Sequence, residues 1–219
     1  MNTKRMTCNQ YYITVEGETE KIYLDKLKML INDSGINSKN VKFKVKVEKS
    51  PIKAIKKITS LDSNRIYHVI DVEKPNQEGT EVFHKIIDEL ESANKYKKNT
   101  KYELLYTNIS FELWIILHKS SCNGCKNNQS QYLTELNRSF NMNFESLDEY
   151  KKEKNFEQLM NNITLDDVKA AIKKAEKLMN DLEICATKKV YKKYKYYSEN
   201  PSLNIHELIK MILNETGIL

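Results

Sequence analysis

Acidic residues recur in this 219-residue chain at spacings that suit a metal ion. VEGETEK carries Glu16 and Glu20 four apart, IYHVIDVE ends in Asp71 and Glu73 two apart, and SFE sets Ser110 two residues before Glu112. Grouped carboxylates repel, and raise one another's pKa, unless a cation neutralises them. Oxygen donors of this kind suit Mg²⁺ or Mn²⁺. Two such ions can flank an in-line displacement at phosphorus, one activating water and the other stabilising the leaving oxygen. Each motif also has an ordinary reading. Glu18 and Glu20 are favourable first-turn helix acids, and Asp71 with Glu73 suits the solvated end of a strand.

What decides between these readings is whether the surrounding elements carry the acids to one edge. YYITV (11–15) is a β-branched and aromatic run, followed by Gly17 for a sharp turn and then Tyr23, Leu27, Leu30 and Ile31 at helical spacing. VKFKVKV (41–47) alternates apolar and basic residues, and PIKAIKKI (51–58) opens with Pro at a first helical position. IYHVIDV (66–72) is the most apolar run and is expected at the centre of the sheet, since a strand covered on both faces reads as continuous apolar sequence. EVFHKIIDELESANK is a helix with Phe83, Ile86, Ile87 and Leu90 on one face, and YELLYTN (102–108) is a fourth strand. Alternating strands and helices predict an α/β fold with a mostly parallel sheet. In such sheets ligands bind outside the carboxyl ends of the strands, which is where these acids fall.

Beyond Ser110 helices are expected to take over, with no further strand. FELWIILH reads as a buried helix with Trp114, Leu117 and Phe111 packing beneath the site and Glu112 as its anomalous acid. A buried acid needs a partner, either a metal or Lys74 or a helix N-terminus. Thr164 and Asp167 form a capping box for a helix whose stripe is Val168, Ile172, Ala175, Met179 and Leu182; Asn204 and Glu207 are expected to cap the last helix in the same way. The expected division is an α/β core over 1–118 and a helical elaboration over 119–219 packed on it.

Composition excludes several classes. Hydrophobic residues make up 40% and charged residues 30%, with 5 Gly and 3 Pro, so the chain is neither collagen-like nor a linker. No apolar run approaches the roughly 20 residues of a membrane helix. The N-terminus lacks a secretory h-region and the four cysteines show no framework spacing, so a cytoplasmic protein with reduced thiols is expected. The net charge of +6 is almost all lysine, with Arg at positions 5, 65 and 138 alone, and permits a polyanionic partner.

VEGETEK followed by a hydrophobic strand ending in an acidic pair resembles the Toprim domain of topoisomerases, bacterial primases and OLD-family nucleases. Through VEGETEKIYLDKL, SFELWIILH and NPSLNIHELI, the chain is more closely similar to the RloB family, over most of its length. The resemblance implies a Toprim-like Rossmannoid core, Mg²⁺ or Mn²⁺ as cofactor, and a place in prokaryotic anti-phage or abortive-infection loci, often beside an ABC- or AAA-type ATPase. Carried over by position, Glu16 matches the Toprim Glu, Glu20 the second acid of ExxxE and Asp71 the first Asp of DxD. Glu73 replaces the second Asp, one methylene longer; Ser110 and Glu112 fall where late ligands or positioning groups occur.

Two other segments carry ligand-type residues. KKVYKKYKYY (188–197) interleaves Lys188, Lys189, Lys192, Lys193 and Lys195 with Tyr191, Tyr194, Tyr196 and Tyr197. Lysines neutralise phosphates and tyrosines stack unpaired bases, so this is the expected nucleic-acid contact; a solvated connector with inward tyrosines competes with that reading. His118, Cys122 and Cys125 give HxxxCxxC, three zinc-type ligands where structural zinc takes four, and reduced thiols are the simpler reading. His68 reads as a core or packing residue and His206 falls in the first turn of the last helix; neither is a candidate catalytic residue.

The expected activity is metal-dependent hydrolysis of nucleic acid, RNA or tRNA before DNA. Glu16 would be ligand or general base; Glu20, Asp71, Glu73 and Glu112 would be ligands. The alternatives are a non-catalytic regulator or nucleic-acid sensor docked on an ATPase, and nucleotidyl transfer as in primases. The oligomeric state is left open, a homo-oligomer included.

Overall fold

The periodicities above become helices and strands close to where they are expected. A computed structural model describes residues 6–58, 65–72, 77–97, 100–122, 128–199 and 201–219. The first half alternates β1 (Cys8–Val15), α1 (Glu18–Asn32), β2 (Asn40–Val47), α2 (Pro51–Lys57), β3 (Arg65–Asp71), α3 (Gln77–Tyr96) and β4 (Lys101–Asn108). The second runs α4 (Glu112–Leu117), α5 (Ser130–Phe140), α6 (Leu147–Tyr150), α7 (Glu153–Met160), α8 (Leu165–Cys185), β5 (Lys189–Tyr191), β6 (Tyr194–Tyr196), β7 (Ser202–Leu203) and α9 (Ile205–Glu215).

The main sheet has the order β2-β1-β3-β4-β7, parallel from β2 to β4 and closed by the antiparallel β7. This is an α/β fold with a mostly parallel sheet. β3 is the middle strand, as its continuous apolar run requires: Tyr67 and Val69 enter the core under α1, α4 and α8, while Ile66 and Ile70 enter the core under α2 and α3. β2 is an edge; Val41 and Phe43 point inward, and the alternating lysines protect it from pairing with another strand. The larger core runs from Tyr11 to Ile218, so the helices after residue 118 share one hydrophobic core with the α/β half.

Two expectations for the second half are corrected. Strands do occur there: the Lys/Tyr segment is the hairpin β5–β6, and β7 extends the main sheet. Asn204 does not cap α9 with its side chain. Its amide is used on β4 instead, accepting from the Tyr106 N–H at 2.7 Å and donating to the Leu104 carbonyl at 3.2 Å. These partners lie about a hundred residues away, beyond the reach of any local capping rule.

The capping box at Thr164 forms as expected. The Asp167 N–H donates to Thr164 Oγ1 at 3.2 Å, and the Thr164 N–H donates to Asp167 Oδ2 at 2.8 Å. Thr164→Ala is expected to cost about 1 kcal/mol and to lower Tm by about 2–4 °C, measured by thermal unfolding.

Candidate metal centre

The strand order reverses between β1 and β3, because the chain passes from β1 outward to β2 and then returns to β1's other side. The crevice at that reversal is the usual ligand position of doubly wound sheets. Glu16 leaves β1 and Asp71 ends β3, so the two acids straddle it. The Asp71 N–H donates to Glu16 Oε2 at 2.8 Å, tying the strand ends together. Lys49, just beyond β2, reaches Glu16 Oε1 at 3.2 Å.

Glu20 lies three residues into α1 and is 5% exposed, whereas Glu18 is an exposed partner of Lys21 at 2.8 Å. The first-turn reading therefore suffices for Glu18 and not for Glu20. Gly17 has φ −143° and ψ −179°, extended backbone that any residue adopts. A Cβ there would stand 3.2 Å from Glu20 Oε2, so the carboxylate would have to give by a few tenths of an ångström. The expected sharp turn is thus replaced by a close approach of the Glu20 carboxylate to the chain.

Glu112 opens α4 at 2% exposure and accepts from the Ser110 hydroxyl. Its cation is Lys151, 3.6 Å from Oε1, so the partner among the described residues comes from the end of α6. Lys74, the partner considered from the sequence, lies outside the described residues, as does Glu73. Thr107 donates to Asp71 Oδ1.

The electrostatics show that these acids share one environment. Burial raises the Glu20 pKa, and the charges of Glu16 and Glu112 raise it further. Asp71 is pushed well above the usual carboxylate range by burial, then by Glu20, Glu16 and Glu112. Burial works against the Lys151 ammonium, yet Glu112, Asp71 and Glu20 carry its pKa upward. The Tyr150 phenol is fully buried and raised by burial and by the same three acids, and its oxygen has no hydrogen-bond partner among the described residues. Tyr150 and Lys151 were missed from sequence because EYKK carries no motif; only the packing of α6 brings them to the sheet edge. Tyr150→Phe removes an unpartnered hydroxyl, so Tm is expected to hold or rise. If the phenol serves the site, metal affinity measured by calorimetry falls in the same variant.

The donor set fits a hard divalent cation: all four described acids offer oxygen, and the raised acids mark charge that lacks full neutralisation. Among the described residues, no three His, Cys, Asp or Glu side chains gather closely enough to chelate an ion as they stand. Thr19, Thr107 and Ser110 hydroxyls hold Glu20, Asp71 and Glu112 in the arrangement seen.

The zinc-type motif does not assemble in the described residues. His118 is buried, its Nδ1 meets the Trp114 carbonyl at 2.9 Å, and its Nε2 meets the Tyr23 hydroxyl at 3.2 Å. Nδ1 must therefore donate, Nε2 accepts, and burial lowers the pKa to about 4. Cys122 is a buried, reduced thiol, and Cys125 lies outside the described residues. His68 is a core residue whose Nδ1 meets Thr14 Oγ1 at 2.7 Å.

The Lys/Tyr hairpin is less free than its sequence suggests. Tyr191 stacks on His84 at 3.7 Å and its hydroxyl reaches Asp88; Tyr194 accepts from Asn94. Lys192 pairs with Asp88, Lys193 with Glu91, and Lys188 with Glu183. The hairpin's aromatic face thus packs on α3, while Lys189 and Lys195 remain exposed.

Fold and edge together define a Rossmann-like α/β protein with carboxylates at its strand-order reversal. A family model described as RloB-like protein matches residues 11–212. The chain belongs to the RloB-like family. No curated protein and no solved structure matches it. Among the described residues, no helix is long and apolar enough to cross a membrane.

Proposed function

We propose that this protein is a Mg²⁺- or Mn²⁺-dependent nuclease that hydrolyses phosphodiester bonds, in RNA or tRNA before DNA, as an effector of prokaryotic anti-phage defence. One observation carries the reading: Asp71 at the end of β3 binds Glu16 at the end of β1 through its backbone N–H at 2.8 Å, and the charges of Glu20, Glu16 and Glu112, distant in sequence, all reach its carboxylate. Membership of the RloB-like family supports the defence setting and an ATPase from the same locus as partner.

Glu16, Glu20, Asp71 and Glu112 would hold the ion, and Glu73, two residues beyond Asp71 in sequence, is the further candidate ligand. When bound, it supplies Lewis acidity and an acidified water. The chain's own groups prepare the place. The Asp71 amide and Lys49 hold the two oxygens of the Glu16 carboxylate in place. Thr107 and Ser110 aim the Asp71 and Glu112 carboxylates. Lys151 offers positive charge to a phosphate oxygen as charge develops there.

A non-catalytic regulator docked on an ATPase is favoured by a different observation, that each described acid already has a protein partner. The deciding experiment incubates the purified full chain with total tRNA, single-stranded RNA and plasmid DNA in Mg²⁺, Mn²⁺ or EDTA. Cleavage of RNA that EDTA abolishes supports the nuclease. Metal binding by calorimetry without cleavage, when the partner ATPase is also present, overturns it in favour of the regulator.

A further inference from the structure

A cleft of about 470 Å³ lies on the β4–β7 flank of the sheet, between α8, the exit of the β5–β6 hairpin and the first turn of α9. That volume falls in the range of small-ligand sites, roughly 300–1,000 Å³. None of the candidate metal ligands lines it. Its wall includes His206, which is 5% exposed and whose Nδ1 is shut off from solvent with no partner among the described residues. Burial holds this imidazole near a pKa of about 4, so it is neutral and has Nε2 to offer a ligand.

Around His206 the cleft sets groups of opposite character. Among the described residues, Lys195 faces it with no acid paired to its ammonium and Glu207 with no cation paired to its carboxylate, while Glu176, also on the wall, is paired with Lys210. Glu183 and Lys188 form a pair at 2.9 Å, and the Lys188 ammonium lies over the Tyr197 ring at 5.4 Å from its centroid. Ammonium groups suit a phosphate; carboxylates and a neutral imidazole suit sugar hydroxyls. A chain of ribose phosphates presents both at every residue, whereas deoxyribose lacks the 2′-hydroxyl.

The cleft is joined to the sheet edge. Asn108, the last residue of β4, donates from Nδ2 to the carbonyls of Tyr197, Ser198 and Glu199 at 3.4, 2.9 and 3.2 Å. The strap from 197 to 199 therefore runs from the cleft to the end of β4, which leads directly into Ser110 and Glu112.

We propose that this cleft binds the ribose-phosphate backbone of RNA beside the acidic edge, with Lys195 on a phosphate and Glu207 and His206 on the 2′-hydroxyl, and so selects RNA over DNA. This takes its substrate class from the nuclease reading, yet it is tested by binding alone.

The test measures fluorescence anisotropy of a labelled single-stranded RNA about 12 nucleotides long, and of the DNA of the same sequence, with the full chain in EDTA. RNA is expected to bind at least about fivefold more tightly. Lys195→Glu is expected to weaken RNA binding by about tenfold, because it replaces an attraction to one phosphate with a repulsion. Glu207→Gln, on the exposed side of the first turn of α9, is expected to bring the RNA-to-DNA ratio close to one with little change for DNA. His206→Asn is read beside it with its Tm; loss of fold in that variant leaves Lys195→Glu and Glu207→Gln to decide. Competition by AMP over dAMP is the expected companion result. Equal affinity for RNA and DNA overturns the proposal, as does unchanged RNA affinity in Lys195→Glu. RNA cleavage with neither variant affecting affinity removes the cleft and leaves the nuclease. Selective RNA binding without cleavage keeps the cleft and removes the nuclease.

Discussion

Asp71→Asn is expected to abolish metal-dependent cleavage, by at least about a thousandfold, while the protein stays folded. A thousandfold loss corresponds to on the order of 4 kcal/mol of transition-state stabilisation. The reason lies in the balance around this side chain. Burial and the charges of Glu20, Glu16 and Glu112 all oppose its ionised form. An amide of the same shape still accepts the Thr107 hydrogen bond through its oxygen and leaves the backbone N–H on Glu16. Removing a charge that its neighbours repel does not lower stability in the absence of metal, so Tm should hold or rise. Glu16→Gln should fall by a similar factor, since it keeps an acceptor for the Asp71 amide and loses the charge and the proton-accepting capacity. Single-turnover cleavage and thermal unfolding on the same preparations check both. Activity within tenfold of wild type in either variant would remove the acidic edge from the chemistry.

The second large effect is a metal- and pH-dependent stability. Asp71 and Glu20 have folded pKa values above their unfolded ones. The folded state therefore binds more protons, and stability contributed by the protonated acids is fully present below the unfolded values, near 4. It is lost as pH rises from there through the raised folded values. Without metal, Tm attributable to these groups falls from about pH 4 upward. A divalent cation reverses that loss by binding the ionised form. At a hundredfold excess over Kd the gain is about 2.7 kcal/mol, or about 5–10 °C for a chain of this size. The shift should be largest at pH 8, smaller at pH 5.5, and absent in Asp71→Asn. Differential scanning calorimetry with Mg²⁺, Mn²⁺ or EDTA measures it. An equal shift in wild type and Asp71→Asn would place metal binding elsewhere.

The alternation of strand and helix was legible because it depends on local periodicity: YYITV, VKFKVKV, IYHVIDV and YELLYTN each became a strand, and the apolar continuity of the third placed it at the centre. The acids at the carboxyl ends followed, since a parallel sheet carries those ends to one side. β7 was not legible. A two-residue strand has no periodicity, and its pairing with Thr107 and Asn108 bridges about a hundred residues. The hairpin was read by composition as a nucleic-acid contact. Composition records that lysines and tyrosines are present, not that Asp88, Glu91 and His84 of α3 meet them.

By itself, then, the amino-acid order determined the α/β alternation, the central strand and the presence of Glu16, Glu20, Asp71 and Glu112 at one edge, because each depends on spacing along a few neighbouring residues. Only the tertiary structure decided which acids are buried, and that α6 brings Tyr150 and Lys151 against them. It also decided that a side chain at Gly17 would crowd Glu20, and that Lys188 and Lys195 share a cleft with His206 and Glu207. Those outcomes depend on which surfaces meet after the chain has turned back on itself. Burial, and with it the electrostatics of the site, is a property of that meeting.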